Sequence, residues 1–133
     1  MTAALAGRQL LLLPITGLAL LIYLLLGSRL ARADELALYV VAPGRGPIAW
    51  AFRRSSFWAL TIGAVVLLRD ARSLDDEVLL RHEQEHVRQW LRLQIAFAVA
   101  YAAASLSARR RGGHWHRDNR FERAARNASR SRR

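Results

Sequence analysis

Residues 9–27, QLLLLPITGLALLIYLLLG, carry no charged side chain, and their only clearly polar ones are Gln9 and Thr16. A helix of this length approaches what is needed to cross the hydrocarbon core of a bilayer. Pro14 and Gly17 are tolerated in such helices. Three fates are open: a retained transmembrane anchor, a cleaved signal peptide, or a buried helix of a soluble domain. ARA at 31–33 offers a small-residue cleavage site, but the apolar run exceeds the usual signal core. The expectation is therefore a single-pass anchor over residues 1–33, with secretion after cleavage as the alternative. Arg8 precedes the run, whereas Arg29 and Arg32 follow it, which favours a cytoplasmic location for the rest of the chain.

What remains is enough for one small domain, since the whole chain has 133 residues, 53% of them hydrophobic. There is no cysteine, so disulfides and thiolate metal sites are excluded. Any metal must be held by histidine nitrogen and carboxylate oxygen. The formal net charge is +11, and every basic residue is arginine. Ten of those arginines fall within 109–133, against only Asp118 and Glu122. A run of this kind reads first as a solvated helix face and tail, with contact to anionic lipid as the functional alternative. Nucleic acid is an unlikely partner, because no aromatic residues interleave at stacking intervals and no nucleic-acid motif is present.

After Asp34 the texture changes. LALYVVAPGRGPIAWAF, 36–52, reads as a short extended piece, a turn at Pro43 to Pro47 and a second extended piece. SFWALTIGAVVLLRD, 56–70, reads as two short strands split by Gly63, or as one strand with a bulge there. A helix follows, with Ser73 as N-cap, Asp76 as its capping-box partner and acidic residues in the first turn. It runs to about Leu93, with an apolar stripe of Leu79, Val87, Trp90, Leu91 and Leu93. The alanine-rich stretch 95–108 reads as a core helix rather than a second span. Gly112 and Gly113 break it, and a short last helix follows with Asn119 as its cap.

The first of these helices carries LLRHEQEHVRQW, 79–90. Histidines four apart on a helix lie nearly above one another, about 6 Å apart. Two such imidazoles can share one metal ion. Glu83, one residue on from His82, projects about 100° around the helix, where it reaches a metal-bound water rather than the metal. That is the mechanical content of H-E-x-x-H. The alternative is a pair of core histidines satisfied by backbone carbonyls. A catalytic zinc needs a third protein ligand and an open position. No histidine follows in the usual short spacing, which leaves His114, His116 and Glu122 as candidates.

HEQEHVRQ followed by NRFERAA resembles the small gluzincin-type zinc metallopeptidases, including minimal, often membrane-associated members. These carry H-E-x-x-H-x-x-Q on one helix and N-x-F-E-x-x-A on another some thirty to forty residues later. TIG and VVLL, just upstream, resemble the strand pair before their metal helix. The resemblance covers about residues 55–126. It implies an α+β fold, with a minimal zincin-like domain over 34–126 containing a small β-sheet and about three helices, and a basic tail at 127–133. It also implies Zn2+ held by His82, His86 and Glu122, with Glu83 as general base in peptide-bond hydrolysis. Glu122 gains further support from its place near a helix start, with Ala124 and Ala125 allowing close packing. His114 and His116, by contrast, sit in a Gly-Gly loop with nothing to fix their direction.

No residue matches a family oxyanion stabiliser; His116, Tyr101 and Arg120 are candidates. The segment from Trp58 to Ile62 is a candidate edge for pairing with a peptide substrate. Glu85, Arg88 and Gln89 are expected to serve solubility or to support the ligands. Two non-enzymatic readings compete: an arginine-rich membrane-associated or nucleic-acid-associated module, and a structural zinc clamp.

Overall fold

A computed structural model describes residues 3–131, the side chains of 3–6 excepted. Five α-helices and a four-stranded sheet make an α+β fold. In chain order these are α1 (Ala3–Leu25), β1 (Arg29–Ala33), β2 (Leu38–Val41), α2 (Pro47–Arg54), β3 (Ala59–Ile62), β4 (Val65–Leu68), α3 (Glu77–Leu93), α4 (Ala96–Arg110) and α5 (Arg120–Arg130). The strands lie in the order β1-β2-β4-β3, with β2 parallel to β4 and the outer pairs antiparallel. Residues 127–130 of the expected tail form the last turn of α5, and residues 132 and 133 lie outside the described residues.

VVLL makes β4 a central strand, buried on both faces. Successive side chains of a strand point to opposite sides, and the two cores follow that alternation. Val66 and Leu68, with Tyr39 of β2, pack against Leu80, Val87, Trp90 and Leu91 of α3. Val65 and Leu67, with Val40, pack against Ile48 and Phe52 of α2 and Ala19 and Tyr23 of α1. Gly63 turns β3 into β4 at φ +61, as a left-handed position requires. Of the two arrangements open for 56–70, the chain takes the two strands rather than one strand with a bulge.

Two local expectations are corrected. The second extended piece in 36–52 is the helix α2: Pro47 opens it, where a fixed φ and a missing N–H are harmless, and Ile48, Ala49 and Phe52 share its buried face. The fold therefore has four helices after α1 rather than about three. Ser73 does not cap α3. It sits in a 3-10 turn, Ala71–Asp75, whose cap is Asp70, the carboxylate accepting from Ser73 N at 3.1 Å. Asp76 caps α3 instead, accepting from Val78 N and Leu79 N. Leu79 packs half-buried against the core as expected, Leu80 joins it fully buried, and Leu93 is exposed.

α1 is long and apolar enough to cross a membrane or to be a signal sequence. It also packs on the domain. Leu12, Thr16, Ala19 and Tyr23, at helical spacing, are buried. Thr16 Oγ1 accepts from Ala64 N at 3.1 Å, and a Cβ on Gly63 would stand 2.8 Å from that oxygen. Side-chain-free backbone at residue 63 is what lets α1 come so close.

Candidate metal centre

α3 presents His82 and His86 one turn apart, and α5 brings Glu122 against them. His82 Nε2 lies 3.2 Å from Glu122 Oε2, His86 Nε2 lies 3.2 Å from Glu122 Oε1, and the two Nε2 atoms are 3.2 Å apart. The three residues form a group able to hold a metal ion, their ligand atoms all within 4.8 Å of one another. Donors bound tetrahedrally at ~2.0–2.2 Å stand about 3.3–3.6 Å from each other. The spacing fits an ion such as zinc, and the two-nitrogen, one-oxygen donor set suits it chemically.

Glu122 is placed by its helix cap. Asn119, fully buried, accepts from Phe121 N at 2.9 Å and donates to Tyr101 O and Ser105 Oγ of α4. Ala125 is buried where α5 crosses α3, while Ala124 is exposed. His86 is oriented by Gln89, whose Oε1 is 2.9 Å from His86 Nδ1 and whose Nε2 donates to Phe121 O. With that amide committed to a carbonyl, its oxygen faces the ring. Nδ1 therefore carries a proton, and Nε2 is the nitrogen that donates to Glu122 when the ring is charged and would offer its lone pair to a metal when the ring is neutral.

Burial works to raise the Glu122 pKa, but hydrogen bonds from His82, His86 and Tyr101 hold it far below the ordinary carboxylate range. Burial likewise disfavours a charged His86, yet the Glu122 carboxylate outweighs it and raises the pKa. The pocket is therefore an anionic carboxylate facing two imidazoles. Burial and then Glu122 push the Tyr101 phenol well above its usual range, so it stays protonated and donates to Glu122 Oε1 at 2.6 Å.

Glu83 is buried but stands apart from this group. Its Oε2 accepts from Thr61 Oγ1 of β3 at 2.7 Å. β3 lies along α3, with the Trp90 indole donating to Thr61 O, and pairs on one side only, with β4. The strand expected to present a free edge is thus an edge strand beside the site. Thr61 was missed by sequence reading; its one signal is a hydroxyl inside the apolar run ALTIG.

The expected lack of direction in the 112–118 loop is corrected. His114 accepts through Nδ1 from His116 N and Arg117 N, while its own N–H donates to Asp118. That turn points His116 inward, its Nε2 3.3 Å from Glu122 Oε1 and its ring 4.9 Å from that of Phe57. Burial lowers the His116 pKa, so the ring is neutral near pH 7. Arg120 is exposed, its guanidinium over the Phe121 ring. Glu85 pairs with Arg88 and Arg92. Comparison with protein-family models, with curated proteins and with solved structures finds no match for this chain.

Proposed function

We propose that the protein is a zinc-dependent metallopeptidase of minimal gluzincin type, attached to a membrane through α1. The observation that carries this reading is the convergence of His82, His86 and Glu122 from two helices, with Glu83 held outside the group by Thr61. His82, His86 and Glu122 would hold the zinc, which would lower the pKa of a water and polarise a carbonyl oxygen. Glu83 takes the proton of the attacking water and returns it to the leaving amine. Thr61 keeps that carboxylate turned toward β3, where a peptide pairing with the strand edge would lie. Gln89 holds His86 in the tautomer that offers Nε2. A neutral His116 donates to the developing oxyanion; Tyr101 is already engaged by Glu122.

The test is metal content and hydrolysis together. Purified wild type should hold one zinc per chain, His82→Ala should lose it, and Glu83→Gln should keep it. Hydrolysis in Glu83→Gln should fall by about 10²–10⁴-fold. Loss of metal in Glu83→Gln would make Glu83 a ligand and end the assignment.

A second reading is favoured by His116. Its Nε2 is near enough to Glu122 to become a fourth ligand, which would make the metal a closed structural clamp. X-ray absorption on the zinc form separates the two readings: three protein ligands and a water for the enzyme, three histidines and a carboxylate for the clamp.

A further inference from the structure

α1 is apolar all round, but its two sides meet different surroundings. Leu12, Thr16, Ala19 and Tyr23 are buried on the domain, whereas Leu10, Leu18, Leu21 and Leu25, on the opposite side, are 54–76% exposed. The contacts holding the first side run the whole length of the helix. Gln9 Nε2 donates to Glu35 O, Gln94 Nε2 donates to Arg8 O, Thr16 meets the β3–β4 turn, and Tyr23 packs on Ile48 and Phe52. A helix held in this way cannot cross a bilayer without carrying its neighbours along. Those include the exposed charges of Glu35 and Arg32, and charges are strongly disfavoured in hydrocarbon.

We propose that α1 engages a lipid surface in plane, its leucine side sunk among acyl chains and its other side kept as part of the protein core. The single-pass arrangement expected from hydropathy would require α1 to leave the domain and empty both cores of its side chains. Charge complements this choice of partner. Arg8 near one end of α1, and Arg29 and Arg32 beyond the other, are exposed, and residues 1–33 contain no Asp or Glu. Such a surface fits a bilayer bearing anionic headgroups, with arginines at headgroup level and leucines beneath. The inference does not depend on the zinc reading.

The absence of cysteine makes a direct test clean. Arg8 and Ala31 are exposed positions near the two ends of α1, and Arg8, one turn before Leu12, lies off the leucine side. Single variants Arg8→Cys and Ala31→Cys of the full chain are expressed in cells and treated with a membrane-impermeant maleimide, before and after lysis. In-plane binding exposes both positions on the same side of the membrane; labelling from opposite sides overturns the proposal. Purified protein is also mixed with phosphatidylcholine vesicles, with and without 30% phosphatidylglycerol. Co-sedimentation should require the anionic lipid or be strengthened by it at least tenfold. Leu18→Glu with Leu21→Glu should abolish it while leaving the melting temperature intact, since both side chains face away from the core. Vesicle binding unaffected by these changes, or a stable dimer that they dissociate, would overturn it as well.

Discussion

Gln89 Oε1 sits 2.9 Å from His86 Nδ1, and the same amide spans from α3 to the α5 backbone at Phe121. One side chain thus sets both the tautomer of a candidate metal ligand and the seat of the helix that carries Glu122. Removing such a supporting bond from a metal-bound histidine typically weakens affinity about 10–100-fold. Gln89→Ala is therefore expected to weaken zinc binding by that range in chelator competition, with both imidazoles still present.

Glu122→Ala is expected to lower zinc affinity by at least an order of magnitude, whereas His114→Ala leaves it nearly unchanged. The first removes the carboxylate that faces both Nε2 atoms, and the second changes a ring turned into its own loop. His116→Ala should reduce turnover while the metal is retained. Isothermal titration with zinc, alongside a peptidase assay, reads all three.

Thr61→Val keeps the shape of β3 and deletes the bond to Glu83. Hydrogen bonds to charged groups contribute about 1.5–3 kcal/mol, so turnover should fall roughly tenfold or more. Zinc stoichiometry should not change. Equal loss of metal would place Thr61 in the support of the ligands instead.

The His86–Glu122 contact predicts opposite pH responses with and without metal. A histidine whose pKa is raised by folding adds stability that is complete below about pH 6.5. That stability is lost as pH rises through the elevated folded value. Zinc needs the neutral ring, so its stabilisation grows as pH rises through the same window. The melting-temperature increase produced by zinc should therefore shrink steadily on acidification from pH 8 toward pH 5.

Asn119→Ala removes an N-cap and two buried bonds to α4 at once. Capping losses run about 0.5–2 kcal/mol, and stranded polar groups add about 1–3 kcal/mol. A destabilisation of about 2–4 kcal/mol by urea melts of the metal-free protein is expected. Loosening of Glu122 should lower zinc affinity in parallel.

The strand pair around Gly63, the helix that carries His82 and His86 and the Asn119 cap are legible because each is written in local chemistry: a turn glycine, a helical histidine spacing, a side chain one residue before the helix. α2 is not legible in the same way, because Pro47 can equally end a turn or open a helix, and Ile48, Ala49 and Phe52 are too few to declare a period. The meeting of His82, His86 and Glu122 could be expected only from two motifs resembling a family, since no local rule brings residues forty apart together. Thr61 and the inward turn of His116 depend on which strand lies beside α3 and on how the 112–118 loop bonds to itself. Neither is encoded within a few residues.

β1 covers one edge of β2, and ARA at 31–33 lies inside β1. Cleavage after Ala33 would therefore do more than trim a leader. It would strip the outer strand, leaving Leu38–Val41 with unpaired backbone groups along one side, and would remove the helix that fills both cores. A chain so processed would present an open β-edge beside vacated apolar surface, the combination that recruits other chains into aggregates. Integrity of the first 33 residues is thus tied to the solubility of the folded sheet.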